Sequence, residues 1–585
     1  MDVLANVIAP SKELCLEESL YFRLINASWY SYKDNKFYLK EGSEIIFDTY
    51  FNSFSIGKWK NYTSINEVYL NIKGKGKYIC YLYHINPDNT VTTIDIKEVE
   101  NSTIIEVPSE IKDGIVFFKI RAINDVELDE IKWSTKKTQK RKIKLGISIT
   151  TFNRQDAVKK SVNRILNFLH ENNHLNIHLV VVDNGKNVKL PSNSKLTLIP
   201  NENLGGSGGF ARGLYYLKEE NKDFTHCLFM DDDASCEVES IYRTYKLLEY
   251  AKDEKLAIAG AMFLHDKPFM QWENGAKFNQ KCIPIKNMID MNLLHNLIWN
   301  EIEEEFDYGG WWFFAFPIKY AEYPYPFFVR GDDVNFGLQK RFVQITMNGI
   351  ATWGDDFFNK ESPLTQYLDT RSHILHHLQV PTLDDKISTI LKVFWRFIIR
   401  YSFMYKYASV KAQNEALRDV LKGPEFFEKN IQMKEVFTKL KPLNEEEKPK
   451  EIDIRSYKNF DRHLVFKWPW LMRILKITTL NGHLLPKLFF KKRGIILDKR
   501  EHRIGAYFRR KKVLLYNFKE KKGVLLFHNK KRFFILLTES IILSGKLAFN
   551  LRDLKKRYRE AYSYLTSKEY WEKQFFKETK KNDEK

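Results

Sequence analysis

The pattern of apolar and polar positions changes character twice along the chain. Up to about residue 138, short runs alternate apolar and polar side chains between turn residues, as in "EVYLNIKGKGKYICYLYHI", "TVTTIDIKEVENSTIIEVP" and "GIVFFKIRAI". Alternation with a period of two predicts strands, and several at this spacing predict a β-sandwich. The segment "WSTKKTQKRKIK" is basic, polar and unpatterned, as a linker would be. Beyond it, "IKLGISITTF", "IHLVVVDNG", "KLTLIPN" and "HCLFMDDD" are apolar runs that predict buried strands. Between them, "NRQDAVKKSVNRILNFLHEN" has helical spacing with Asn153 as its cap, and "FARGLYYLKEE" predicts a second helix. Alternating strands and helices indicate a mostly parallel α/β sheet, whose ligands lie outside the carboxyl ends of the strands. Asp183 and Asp231 to Asp233 fall at such ends. From about residue 380, "DKISTILKVFWRFIIRYSFMYKYASVKAQNEALRDVLKG" predicts one or two amphipathic helices ending at Gly423. The helical "RDLKKRYREAYSYLTSKEYWEKQFF" comes near the end of a Lys-, Arg-, Phe- and Tyr-rich stretch, followed by a tail expected to fray.

Composition narrows the class. At 585 residues the chain is long enough for two to four domains. A hydrophobic share of 44% excludes a disordered chain. Lys plus Arg is 94 against 74 for Asp plus Glu, a net charge of +20. That surplus suits nucleic acid, anionic lipid or acidic substrates, or equally a solvated lysine-rich surface. The five cysteines, Cys15, Cys80, Cys227, Cys236 and Cys282, form no C-x-x-C pair. Their odd number argues against a disulfide framework or structural zinc, and for a reducing compartment. The first residues carry early acids and do not read as a signal peptide. No stretch approaches twenty uncharged apolar residues, and the nearest, residues 533 to 549, carries Glu539 and Lys546. The expectation is a cytoplasmic chain with peripheral membrane contact at most.

The chemistry gathers in three places. In an extended chain Asp231 and Asp233 share a face, and two oxygen donors suit Mg²⁺ or Mn²⁺, which complete their shells with substrate phosphates. A helix N-terminus is the plainer explanation of such acids. "NENLGGSGGFARG" (201 to 213) has Gly205, Gly206, Gly208 and Gly209, which would let backbone approach a pyrophosphate, or simply form a flexible turn. No Gly-Lys-Ser/Thr follows, so it is not a P-loop. "YGGWWFFAFP" and "PYPFFVRGDDVNFGLQKR" combine Trp311 and Trp312 with Asp332 and Asp333. Tryptophans suit the C–H face of a sugar or ordinary core packing, and a carboxylate beside them is a candidate general base or another helix N-terminus.

"ITTFNR", "VVVDNG", "NLGGSGGFARG", "FMDDDA", "GGWWFF" and "GDDVNFG" resemble, in order and approximate spacing, the inverting glycosyltransferases of family 2. They are most similar to bacterial galactan-polymerising galactofuranosyltransferases. "FDTYFNSFSIGKWKNYT" and "YREAYSYLTSKEYWEKQF" look like that family's flanking regions, so the resemblance covers nearly the whole chain. It implies an α/β fold: a GT-A (Rossmann-like) central domain over 139–380, an N-terminal β-sandwich over 1–138, and a basic, mainly helical C-terminal region over 381–585. It implies Asp231, Asp233 and a divalent cation (Mn²⁺ or Mg²⁺) on a UDP-sugar diphosphate, with Asp232 or a neighbour near the ribose. Thr151, Arg154 and Asp183 match nucleotide-holding positions, Asp183 through the uracil. Asn203, Gly205 and Gly206 match the loop beneath donor and acceptor. Trp272, Trp311 and Trp312 match sugar-contacting tryptophans, and Asp333, or Asp332, the catalytic base.

The family's Trp-His step, whose His is a metal ligand, reads here as Trp353-Gly354. Asp355 or Asp356 would substitute, or His373, His376 or His377, whose helical setting favours ordinary packing. A histidine often carried before an arginine in the family aligns with Asp369. The resemblance implies transfer of a sugar, galactofuranose first, to a hydroxyl of a lipid-linked cell-surface glycan at the cytoplasmic membrane face. "YFRRKKVLLYNFKEKKG" (507 to 523) would attract anionic headgroups. A homo-oligomer is compatible with this reading. The alternatives are another donor, such as a rhamnose or pyranose nucleotide, and a noncatalytic glycan-binding protein. Nucleic-acid binding rests on charge alone and is not expected.

Overall fold

The structure, a computed structural model, describes residues 1–233, 235–356, 360–462, 470–499 and 503–577. It divides into two compact units. One holds residues 1–324, 333–355 and 567–585, and the other holds 325–332 and 356–566.

The first unit begins as a β-sandwich. One sheet pairs strands Ser28–Ser31, Lys36–Leu39, Val126–Thr135, Val68–Lys75 and Thr103–Val107, with Asp2–Asn6 beside Val126–Thr135. The other runs Arg23–Ile25, Glu44–Ile46, Ile115–Ala122, Lys77–Ile85 and Val91–Glu100. Alternation does the sorting: along Lys77–Ile85, Tyr78, Cys80 and Leu82 are wholly buried and their neighbours are not. The last strand runs to Thr135, so "WST" belongs to the sandwich and only the residues after it read as linker.

A seven-stranded sheet follows, in the order Leu196–Pro200, Ile177–Asp183, Leu145–Thr151, His226–Asp231, Phe314–Pro317, Leu256–Ala259, Val343–Ile345. The first four strands are mutually parallel and Phe314–Pro317 runs against them. Helix Gln155–Glu171 covers the sheet because Val158, Val162, Ile165, Leu166 and Leu169 recur along one buried stripe. Asn153 is not its cap. The helix starts from Arg154 without a side-chain cap bond, and Asn153 takes a left-handed φ of 56°. Sandwich and sheet share one hydrophobic core, and polar groups lock the junction. Asn6 donates to Glu239 at 2.7 and 2.9 Å, the Lys246 ammonium pairs with Asp2 at 3.0 Å, and the Tyr21 hydroxyl donates to Glu237 at 2.6 Å. The short helix Lys568–Phe575 completes this unit. Its Trp571 indole N–H donates to the Pro324 carbonyl at 2.9 Å.

The second unit is mainly helical. Helix Pro363–Gln379 starts in a reciprocal capping box: the Thr365 N–H donates to the Ser362 hydroxyl and the Ser362 N–H to the Thr365 hydroxyl. Where one or two amphipathic helices were expected there are two, Ile387–Phe403 and Tyr407–Val420, closed near Gly423 at φ 96°. The sequence reading missed a five-stranded sheet of short strands between Lys450 and Phe527. The stretch 507–523 lies largely within it. Tyr507, Phe508 and Val513 to Tyr516 are buried and Phe518 is exposed, so three of its four aromatics are core and not a lipid-facing surface. The following helix, Lys530–Leu565, is among the described residues the one element long and apolar enough to cross a membrane. Its most apolar window has a mean hydropathy of 1.5 and is 28% buried.

Candidate active site

Three parallel strands end at one edge of the seven-stranded sheet. Register sets Thr151 beside Asp183 and Thr150 beside Asp231. Strand order reverses direction around Leu145–Thr151, where open α/β sheets bind their ligands. Asp183 is buried, and its carboxylate accepts the backbone N–H groups of Gly185 (2.9 Å), Asn187 (2.7 Å) and Val188 (2.7 Å). It therefore shapes the loop after its own strand, with acceptor capacity for one further donor.

The three aspartates are not equivalent. The strand stops at Asp231, and Asp232 and Asp233 form a turn, so the period-two argument for Asp231 and Asp233 does not hold. Asp232 is buried. Its carboxylate accepts the Thr151 hydroxyl at 2.6 Å and the Arg154 guanidinium at 3.1 Å. Burial raises its pKa, and those two donors oppose the rise while Asp233 adds to it. Arg154 also holds Asp233 at 2.6 Å and is itself 44% exposed. Asp232 thus anchors the turn from beneath, Asp231 and Asp233 remain at its partly exposed rim, and one guanidinium stands among them.

The glycine segment is not a loop. It forms the first turns of helix Gly205–Tyr215. A Cβ on Gly209 would lie 2.1 Å from the Thr150 methyl, and one on Gly213 would lie 2.0 Å from the Ser148 hydroxyl. These glycines let the helix press against strand Leu145–Thr151. Only Gly205, at φ 72°, needs glycine's backbone freedom. Asn203 accepts the Gly205 N–H at 3.1 Å, and Asn184 donates to the Gly205 carbonyl at 2.9 Å, which ties the helix start to the loop after Asp183. Gly206 follows within the first turn.

The tryptophans also separate. Trp311 is 4% exposed and packs edge-on to Phe210, Phe229 and Phe336, so it is core. Trp312 is half-buried and donates to the Gly260 carbonyl at 2.9 Å, and Trp272 is half-buried on strand Lys267–Glu273. Asp332 and Asp333 open helix Asp332–Leu338, with Asp332 buried, Asp333 partly exposed, and the Val334 N–H on Asp333 at 2.8 Å. The chain reaches them through left-handed residues Phe328, Arg330 and Gly331, at φ 69°, 63° and 93°. Within the second unit this strained segment is clamped: Arg330 makes two 2.8 Å contacts with Asp369, and the buried Arg371 donates to the Phe327 carbonyl. Asp369, where the family often has histidine, is an anchor for the approach to Asp332.

Among the described residues no group of three or more His, Cys, Asp or Glu side chains is gathered to hold a metal. Asp355 is exposed and follows strand Ala351–Gly354, while Asp356 is buried. That strand pairs antiparallel with Ser235–Cys236, Trp353 opposite Ser235. The described pairing reaches no further than Trp353 and Ser235, short of Asp355 and Asp233. His373, His376 and His377 are buried on helix Pro363–Gln379, and burial lowers the pKa of each, that of His373 to about 4. His373 and His377 each bond a backbone carbonyl, as packed histidines do. One residue beside the site escaped the sequence reading: Arg330, whose signal was a cation directly before "GDD".

Residues 147–314 match the family Glycosyl transferase family 2, and residues 13–136 match the family Galactofuranosyltransferase 2 N-terminal. Galactofuranosyltransferase GlfT2 of Mycobacterium tuberculosis (strain ATCC 25618 / H37Rv) is 26% identical over 431 residues, covering 66% of this chain and 66% of that protein. The GlfT2 of Mycolicibacterium smegmatis is 25% identical, over 66% of this chain and 65% of that protein. The match thus spans just under two thirds of either relative. A solved mannosyltransferase from Pyrobaculum calidifontis, in complex with GDP-Man and Mn²⁺, is 11% identical with a TM-score of 0.26, covering 48% of this chain and 78% of that one. That likeness is too slight to carry an argument. The four parallel strands, the acidic turn at their carboxyl edge and the two family matches agree: residues 147–314 are similar to family 2 glycosyltransferases, residues 13–136 to the N-terminal domain of galactofuranosyltransferase 2, and the chain as a whole resembles the galactofuranosyltransferases.

Proposed function

We propose that the chain transfers galactofuranose from its UDP conjugate to a hydroxyl of a lipid-linked cell-surface glycan, with inversion at the anomeric carbon. The supporting observation is the turn at the sheet edge, where Asp232 is pinned by Thr151 and Arg154 and Asp231 and Asp233 are left at the rim. Two partly exposed carboxylates on one turn, Asp231 and Asp233, would suit a hard divalent cation that takes its remaining ligands from phosphate and water. Such a cation, when bound, neutralises charge on the departing diphosphate. Arg154 adds a fixed positive charge on the same side, and the Asn184–Val188 loop built by Asp183 receives the base. Trp272 and Trp312 present partly exposed rings to the sugars. Asp333 takes the proton of the acceptor hydroxyl as that oxygen attacks the anomeric carbon, so one carbon–oxygen bond forms as the bond to the diphosphate breaks. The exposed apolar side chains Ile535, Ile541, Ile542 and Phe549, with the lysines and arginines of helix Lys530–Leu565, suit an anionic lipid surface that carries the acceptor. The test is a donor screen against a synthetic lipid-linked acceptor, with the product linkage read by NMR. Galactofuranosyl transfer is expected. Turnover of only a rhamnose or pyranose nucleotide would replace the donor, and no transfer from any nucleotide sugar would refute the reading.

A further inference from the structure

One buried asparagine holds both ends of the turn that carries Trp272. Strand Lys267–Glu273 pairs with Ala261–Leu264, and the ladder sets Glu273 opposite Met262 and Gln271 opposite Phe263. Trp272 falls between them as the extra residue of a β-bulge, a feature that re-aims a side chain. Gln271 and Glu273 are buried, while Trp272 stays partly exposed. Asn300 grips this bulge from helix Leu294–Glu301. It is 1% exposed, and its Oδ1 accepts the Gln271 amide at 2.9 Å and the Asn274 amide at 3.1 Å. One oxygen thus joins the residues on either side of Trp272 and Glu273.

Asn300 is itself held from three directions. Its Nδ2 donates to Asn348 Oδ1 at 2.7 Å, and Asn348 Nδ2 donates to the Leu297 carbonyl at 3.0 Å. The Lys286 ammonium donates to the Asn300 backbone carbonyl at 2.6 Å, and Gln271 also donates to the Lys286 carbonyl at 3.0 Å. Asn287, next to Lys286, donates to the Trp272 carbonyl. A polar side chain on the buried face of a helix is costly unless it is bonded, and this one has both acceptor positions and one donor in use. Such a saturated network is rigid. An indole fixed before the sugar arrives spares the ordering cost that a loose ring would add to binding. We propose that Asn300 is a positioning residue, which fixes the bulge and so sets the Trp272 ring in the orientation that packs on a bound sugar. This rests on the proposed contact of Trp272 with sugar.

The experiment is a cycle of Asn300→Ala and Trp272→Ala in the full chain, read as kcat/KM for transfer from UDP-galactofuranose to the lipid-linked acceptor. Either change alone should lower it about 10- to 100-fold, the scale of a misplaced binding group, and the double variant should be no lower than Trp272→Ala. UDP affinity should stay unchanged. Asn300→Asp, which keeps an acceptor oxygen for both amides, should recover most of the loss. Asn300→Ser, which stays polar but draws its oxygen out of reach, repeats the cycle with less disturbance of the fold. A second readout needs no turnover. In protein labelled with 5-fluorotryptophan, the Trp272 fluorine resonance, identified by its absence from Trp272→Phe, should be one narrow line in wild type and should shift or broaden in Asn300→Ala. An unmoved resonance, or losses that multiply in the double variant, would overturn the proposal. Normal transfer by Trp272→Ala would instead remove the sugar contact on which the proposal rests, whatever the fluorine line shows.

Discussion

Adjacent acids in this chain do different work because burial and donors differ from one residue to the next. Asp232 is spent on Thr151 and Arg154, and Asp332 lies buried behind the segment clamped by Arg330 and Arg371. Asp333 is the partly exposed carboxylate of its pair and has one backbone donor on Oδ1. General-base catalysis typically contributes about 10²- to 10⁴-fold, so Asp333→Asn should lower turnover by that factor with UDP-donor affinity near wild type. Asp233→Asn should instead weaken donor binding. Calorimetry beside turnover measurements separates the two. Inactivity of Asp332→Asn alone would exchange the roles of the pair.

At the scale of elements, most of what positions the site was legible. The four parallel strands and the helix after the first were written in apolar runs and helical spacing, and Asp183 and Asp231 were placed at strand ends by that pattern alone. The glycine segment was located but misread, because four glycines signal either a loop or a helix in tight contact, and only the neighbour decides. Here the neighbours are Thr150 and Ser148. Gly209→Ala should therefore force the helix from the strand and destabilise the domain by about 1–3 kcal/mol, as overpacking does. It should also weaken UDP binding, since Asn184 ties the helix start to the loop after Asp183. A thermal-shift titration with UDP measures both, and an unchanged Tm would contradict the close contact. The sheet between Lys450 and Phe527 was not legible: two of its strands are only two residues long and, apart from the hairpin of Lys512–Asn517 with Lys522–Phe527, its pairings join separate stretches, so periodicity alone does not reveal them.

Across the first unit, the sandwich and the transferase sheet behave as one body because apolar core and buried polar pairs are continuous between them. Neither the ion pair of Asp2 with Lys246 nor the bond of Tyr21 to Glu237 could be read from residues so far apart in sequence. Burial raises Glu237 to about 7, against the lowering effect of the Tyr21 bond. A carboxyl raised in the folded state favours folding below its unfolded pKa and loses that contribution as pH rises through about 7. The wild-type Tm, relative to Glu237→Gln, should therefore fall between pH 5 and 8, by an amount on the order of 2–3 kcal/mol in stability. A difference independent of pH would show that Glu237 stays ionised or is exposed. At the molecular scale, the proposed contact with an anionic lipid surface predicts binding to anionic vesicles that high salt reverses, since exposed-charge attraction is screened. Equal pelleting with neutral vesicles would count against it.

The central claim is inverting, cation-assisted transfer from a UDP-sugar at the Asp231–Asp233 turn. Its most direct test is NMR of the product formed from UDP-galactofuranose and a lipid-linked acceptor, with and without exhaustive chelation. The account predicts a new glycosidic bond of inverted anomeric configuration, lost on chelation and restored by Mn²⁺ or Mg²⁺. A product of retained configuration, or full transfer after chelation, would contradict it.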